Sequence, residues 1–230
     1  MENQTRGSKK QPMQLKELLP QSESIHPNTC SNPGICLKRP TCDAEKVYFA
    51  LVAEMDNILK SRGKIFELNN ANRYIIGQIA LWYANDIRFD GDLNKGLLIR
   101  GTCGTGKTLS VQALNRIIYL GQKMHAGFVY SVDLQRFYAN QDIESIESLK
   151  KRTYTIIDDL GVERVEAKYF GNVQEPFNDL FDYRYRNELL SIITTNLMPS
   201  EIEDRYGIRI LDRFKETLND LVLDYDSFRK

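Results

Sequence analysis

One stretch of eight residues limits the folds open to this chain more than any other feature. Gly101-Thr102-Cys103-Gly104-Thr105-Gly106-Lys107-Thr108 completes the Walker A pattern. It follows a short apolar run, Gly96-Leu97-Leu98-Ile99-Arg100, and precedes Leu109, Val111, Ala113, Leu114, Ile117 and Ile118 at helical spacing. A strand, a glycine-rich turn and a helix, in that order, are the context in which this pattern holds phosphate. The glycines let the turn close tightly, so that its backbone N–H groups and the positive end of the helix face phosphate oxygens. Lys107 would then reach the β- and γ-phosphates and Thr108 would offer its hydroxyl to Mg²⁺, with Leu109 closing the nucleotide-contacting segment. A chance glycine-rich turn is the competing reading. It leaves the lysine–threonine pair and the flanking periodicity unexplained.

Length and charge narrow the rest. The chain has 230 residues, 42% hydrophobic and 27% charged, enough for one α/β core and a small appendage. Its 31 basic and 31 acidic side chains cancel, so a global electrostatic grip on DNA is not expected, although a local basic patch is compatible with the balance. No apolar run approaches the roughly 18 residues of a membrane-spanning helix, and the start lacks the apolar stretch of a secretory signal. A cytoplasmic protein without membrane contact is the expectation. Four cysteines are too few for a disulfide scaffold in a chain of this size.

Along the chain, residues 1–43 form a polar, proline-containing segment, 44–69 a helical linker or partner-binding element, and 70–230 the nucleotide-binding core. Within the first segment, His26, Cys30, Cys36 and Cys42 follow a His-x3-Cys-x5-Cys-x5-Cys spacing. A Cys3His zinc site is one reading and a linker with reduced thiols the other, since compact zinc knuckles have closer cysteine steps. Helices are expected over Ala44 to Lys60 and Asn70 to Ile87, the latter burying Tyr74, Ile75, Ile79, Leu81 and Trp82. Aromatic residues there, Tyr74, Trp82 and Tyr83, serve packing or a base contact. Further strands are expected at Phe128 to Val132, Tyr154 to Ile157, Leu189 to Ile193 and Thr217 to Leu223. Leu134 to Asn140, Ile143 to Lys151, Val173 to Tyr183 and Ile208 to Lys215 read as helices, and Ser200 as the cap of one more. Such alternation implies a central, mostly parallel five-stranded sheet with helices on both faces.

The second half of a nucleotide site follows the third strand as Asp158-Asp159-Leu160-Gly161. Asp158 is placed to hold Mg²⁺ and Asp159 to polarise the attacking water. A solvated turn is the alternative, with more force for Asp159 because an aspartate reaches less far than a glutamate. Asn196, after the fourth strand, could position water or contact the γ-phosphate, with Thr195 and Thr194 as alternates, or it satisfies its own loop. Arg205, Arg209 and Arg213 are spaced four apart and would share a face of a continuous helix, which Gly207 interrupts. They read either as surface charge beside Asp204 and Asp212, or as a source of an arginine that enters a neighbouring subunit's site.

Taken in order, Gly101-x-x-Gly104-Thr105-Gly106-Lys107-Thr108, Ile156-Ile157-Asp158-Asp159, Ile193-Thr194-Thr195-Asn196 and Arg205-Tyr206-Gly207-x-Arg209-x-x-x-Arg213-Phe214 resemble the AAA+ ATPases of the bacterial replicative helicase loader and transposase-helper group. The resemblance spans about residues 70 to 225. It implies a P-loop NTPase fold of AAA+ type, ATP and Mg²⁺ as cofactors, and Asn196 as the sensor residue. It makes Arg213 the arginine finger, with Arg209 as its companion at the nucleotide. It also implies a homo-oligomer formed on ATP binding, a replicative ring helicase or a transposase as partner, and single-stranded DNA. In that group an insertion matching Leu134 to Lys151 lines the DNA path, which here offers Arg136, Lys150 and Lys151. Cys103 stands where a proline or asparagine is common, and Asp159 where a glutamate is commoner. The chain ends shortly after the last strand, so the helical C-terminal lid is expected to be absent and hydrolysis to be weak and assembly-dependent.

Three functions are thus open: a helicase-loader-like ATPase of DNA replication, a transposase helper, and a nucleotide-gated adaptor with little hydrolysis. A small-molecule kinase fits less well, because no acceptor-substrate lid is evident.

Overall fold

A computed structural model describes residues 42–169 and 172–223 of the chain. Helices α1 (Ala44–Ser61) and α2 (Asn70–Tyr83) lead into strand β1 (Gly96–Gly101). Then follow α3 (Lys107–Gln122), β2 (Gly127–Tyr130), α4 (Ser131–Ala139), α5 (Ile143–Lys151) and β3 (Tyr154–Leu160). A hairpin of β4 (Ala167–Tyr169) and β5 (Asn172–Gln174) precedes α6 (Pro176–Arg186) and β6 (Leu190–Thr195). The chain continues through α7 (Pro199–Tyr206), α8 (Ile208–Thr217) and β7 (Leu218–Leu223).

Five strands form one sheet in the order β2-β3-β6-β1-β7, and every adjacent pair is parallel. Strand alternation splits the core into two layers. Leu97, Ile99, Ile156 and Ile192 face α1, α2 and α3, where Leu51, Trp82, Leu114 and Ile117 are buried. Leu98, Ile157 and Ile193 face the other side, with Leu134, Leu180, Phe181 and Phe214. Covering both faces explains why these strands are continuously apolar. The expected architecture, a parallel five-stranded sheet between helical layers, is the observed one.

Several boundaries differ, each for a local reason. The second strand stops at Tyr130 because Ser131 already begins α4. Asn172 to Gln174 pair antiparallel with Ala167 to Tyr169, so the following helix starts at Pro176, whose fixed φ suits a first helical position. Helix α2 ends at Tyr83, leaving Ile87 93% exposed. Tyr74 lies on the outer face at 54% exposure, whereas Trp82 and Tyr83 are fully buried and serve packing. Helix α1 buries Val47, Ala50, Leu51 and Met55 in the same layer as α3, so the segment 44–69 shares the core of the sheet.

Candidate nucleotide site

Helix α3 begins at Lys107, directly after the loop, with Gly106 as its N-cap in a left-handed conformation of φ 91°. Gly106 has no side chain to cap this terminus, which leaves room for an anion to approach its backbone N–H groups. Thr105 is buried and its hydroxyl donates to the Thr102 carbonyl at 3.0 Å, tightening the loop from within. Cys103 lies on the exposed outside of the turn. The strand that feeds the loop is pressed against its neighbour: a Cβ on Gly96 would stand 2.0 Å from the Ser191 carbonyl oxygen.

Strand order then brings the acidic end and the polar loop to this helix terminus. β6 lies between β1 and β3, so Asn196, one residue past β6, falls between Lys107 and the Asp158–Asp159 pair. The buried Lys107 ammonium donates to the Gly101 and Thr102 carbonyls, both at 2.8 Å, and to Asn196 Oδ1 at 2.6 Å. Asn196 Nδ2 donates in turn to Asp159 Oδ1 at 3.2 Å. One amide therefore spans the lysine and the second aspartate, and the two charges fix which end is oxygen.

Asp158 is fully buried. Its Oδ1 accepts from the Thr194 hydroxyl at 2.5 Å and the Thr108 hydroxyl at 3.3 Å, while Oδ2 has no hydrogen-bond partner. Burial holds its pKa above the ordinary carboxylate range, against those two hydrogen bonds, and the Asp159 charge adds to the rise. A buried, partnerless carboxylate oxygen beside a threonine hydroxyl is a donor set that suits a hard divalent cation. Asp158 and Thr108 would hold Mg²⁺ there.

Asp159 reaches the site because β3 is irregular at its end. Its register against β6 shifts between Ile157 and Leu160, and Asp159 takes a φ of 60°. A regular strand would send consecutive side chains to opposite faces; the bulge turns Asp159 toward Asn196. Thr194 Oγ1 accepts from the Asp159 N–H at 2.8 Å, so one hydroxyl ties both aspartates together. Thr194, an alternate to Asn196 in the sequence, thus also bonds both members of the acidic pair.

The remaining expected residues lie elsewhere. Leu109 packs against the core layer behind the loop. Gly207, with φ 88°, separates α7 from α8, so Arg205 does not share a helix with Arg209 and Arg213. Arg205 and the Tyr206 hydroxyl both bond Glu163, just after β3. Arg209 and Arg213 both pair with Asp182 of α6, and neither forms an ion pair with a phosphate-site residue among the described residues. Arg136 pairs with Asp133, Lys151 with Glu147, and Lys150 with Asp179; only 14% of the Lys150 side chain is exposed. Two cations that the motifs do not single out, Arg164 and Lys168, line a surface groove with Gln135, Val165 and Glu166. Both are exposed and carry no ion pair among the described residues. Their signal was the density of charge in Glu163 to Lys168, which has no apolar period.

His26, Cys30 and Cys36 lie outside the described residues. Cys42 is half-buried against the first core layer, and burial pushes its thiol up to about 11, away from the thiolate form a metal needs. Among the described residues no group of three or more metal-binding side chains occurs, and no helix is long and apolar enough to cross a membrane.

With this geometry in hand, the same fold is found in solved structures. A crystal structure of the DnaC helicase loader matches with a TM-score of 0.56 at 23% identity, covering 74% of this chain and 96% of that one. The crystal structure of DnaI matches at 0.52 and 20% identity, covering 69% and 88%. A replication initiator DnaA bound to AMPPCP and single-stranded DNA matches at 0.54 and 20% identity, covering 70% of this chain and 49% of that one. No family profile and no curated protein sequence matches the chain. At these identities the likeness shows the fold: a P-loop NTPase of AAA+ type, shared with solved helicase-loader and initiator proteins, as the order of motifs led one to expect.

Proposed function

We propose that this chain binds and hydrolyses ATP as a helicase-loader-like accessory of DNA replication, using nucleotide to govern its assembly and its hold on a partner and single-stranded DNA. The observation that carries the reading is the continuous polar cluster from Lys107 through Asn196 to Asp159, adjoining Thr108, Thr194 and Asp158 at the open end of α3.

Each member has a chemical task. The N-terminal N–H groups of α3 and the Lys107 ammonium hold the triphosphate, with phosphate oxygens taking the place of the carbonyl and amide acceptors Lys107 now uses. Thr108 and Asp158 would hold Mg²⁺, which when bound would neutralise the charge that builds on the phosphates. Asp159 accepts the proton of the attacking water or orients it, and Asn196 places that water in line with the γ-phosphorus. Water's oxygen bonds to the γ-phosphorus as the bond to the β–γ bridging oxygen breaks, giving ADP and phosphate. Arg213 of an adjoining subunit adds a positive charge to the same phosphates, which makes turnover dependent on assembly. Arg164 and Lys168, exposed on one groove, are better suited to a phosphate backbone than Lys150.

The test is retention of a ring helicase by the tagged chain with ATP, with ADP and with no nucleotide, using Lys107→Ala as control. ATP-dependent retention lost in Lys107→Ala is the expected result. Retention of a transposase in place of a helicase moves the chain to the transposase-helper function. Helicase retention indifferent to nucleotide and to Lys107 overturns the reading.

A further inference from the structure

The arginine offered to a neighbouring site does not point freely outward. Only 13% of the Arg213 side chain is exposed, against 69% for Arg209 on the same helix. Its guanidinium lies over the Tyr185 ring, 4.5 Å from the centroid, and pairs with the Asp182 carboxylate. The other Asp182 oxygen receives Arg209 at 2.7 Å. Tyr185 is itself fixed, its hydroxyl donating to Glu216 at 2.8 Å. Thus α6 supplies both a carboxylate and an aromatic face to α8's two arginines.

Packing does not require this pair. α6 and α8 are already joined by apolar contacts: Phe177 and Phe181 both meet the Phe214 ring edge-on, at 5.9 and 4.9 Å between centroids, and all three rings are buried. A carboxylate that hydrogen-bonds Arg209, pairs by charge alone with Arg213 and lies beside such a seam is a holding contact that the fold could lose. Its geometry is also incompatible with transfer of Arg213 across a subunit boundary, because the guanidinium must leave both Tyr185 and Asp182 to reach a phosphate oxygen.

We propose that Asp182 is a positioning residue that parks Arg213 on its own subunit, so that the arginine becomes available to a neighbour only when a triphosphate outcompetes one carboxylate. The inference rests on the assignment of Arg213 as the arginine donated in trans. It adds a threshold to that assignment: dilute or nucleotide-poor subunits keep the arginine folded back, and the shared carboxylate releases Arg209 and Arg213 together.

ATP turnover measured against protein concentration tests it, for the full chain and for Asp182→Asn, Arg213→Ala and the double variant. Asp182→Asn keeps the shape of the side chain and removes its charge. It should reach half-maximal turnover at a concentration about fivefold lower, the scale of one partly exposed ion pair, with ATP affinity at low protein concentration unchanged. The double variant should match Arg213→Ala. Mixing supplies a readout that a structural role would not move. A Lys107→Ala/Asp182→Asn chain has no working site of its own, so it should stimulate wild-type subunits more than Lys107→Ala alone. Should Asp182→Asn fold poorly by circular dichroism, Tyr185→Leu removes the other half of the holding contact and should shift the curve in the same direction. A normal loss in Arg213→Ala, with the Asp182→Asn or Tyr185→Leu curve unshifted or moved to higher concentration, overturns the parking role alone. Full turnover in Arg213→Ala removes the trans arginine and the parking role together.

Discussion

Asp158 shows how one side chain of a candidate site can oppose folding. It is buried with one oxygen unpartnered, and its pKa is held above the unfolded value near 3.8 mainly by burial. The sign follows from proton linkage. A carboxyl that binds its proton more tightly when folded contributes most to stability below its unfolded value, and that contribution is lost as pH rises through the folded value. At pH 7, without nucleotide or divalent cation, Asp158→Asn should therefore unfold about 2 °C or more above the wild type, a scale set by roughly 1 kcal/mol in a domain of this size. The difference should shrink as pH is lowered toward 4. Calorimetry across that range checks it, and a lower midpoint for Asp158→Asn at pH 7 contradicts it. The same variant should lose the Mg²⁺ dependence of ATP binding. The meeting of Lys107, Asp158 and Asn196 was legible because motif spacing and strand order together determine which strand ends meet. The place of Thr194 was not, because its value lies in touching the side chain of one aspartate and the N–H of the next, which no periodicity encodes.

Among the elements, α6 carries more than its apolar stripe suggests. Phe177, Leu180, Phe181 and Arg184 fall at helical spacing, and Arg184 takes the fourth buried position with no exposed surface. Its guanidinium donates to the carbonyls of Leu149, Lys150, Arg152, Thr153 and Leu190 and to the Ser191 hydroxyl. It thereby closes the end of α5 and binds the start of β3 to β6, and it lowers the cost of burying a charge that lacks a carboxylate partner. Burial pushes its pKa down to about 9, so it stays charged at neutral pH. Arg184→Met should cost about 3 kcal/mol or more in urea unfolding, because several buried carbonyls lose their donor; a loss under about 1 kcal/mol contradicts this role. A charged residue on an apolar stripe was the available signal, and it was passed over because arginine is seldom fully buried. The β4–β5 hairpin was missed for a different reason: its strands are only three residues each, too short for alternation to show. Tyr74 was placed inward because α2 is apolar around most of its surface, so its buried side could not be read from composition alone.

For the whole molecule, the sheet brings the acidic pair, the lysine and the amide to one end and leaves the α8 arginines on a separate surface. That division predicts dependence on assembly: Arg213→Ala should abolish turnover stimulated at high protein concentration while leaving ATP affinity nearly unchanged, as steady-state rates and nucleotide titration would show. Single-stranded DNA binding should follow salt. Replacing both Arg164 and Lys168 with alanine should reduce the slope of log affinity against log salt by about 1.4, two phosphate contacts' worth; replacing Lys150 should change it little. The fold was legible in the sequence as far as sheet, layers and helix order, because both faces of the sheet are written as apolar runs. The surface was not, because an ion pair such as Arg213 with Asp182 joins residues far apart in sequence. The most direct test of a single triphosphate–magnesium site is an equilibrium titration of a fluorescent ATP analogue, with Mg²⁺ present, into wild type and Lys107→Ala. Loss of one charge-assisted hydrogen-bonding group predicts an affinity lower by about 30- to 150-fold, or roughly 2–3 kcal/mol. Equal affinity in the two proteins would contradict the site.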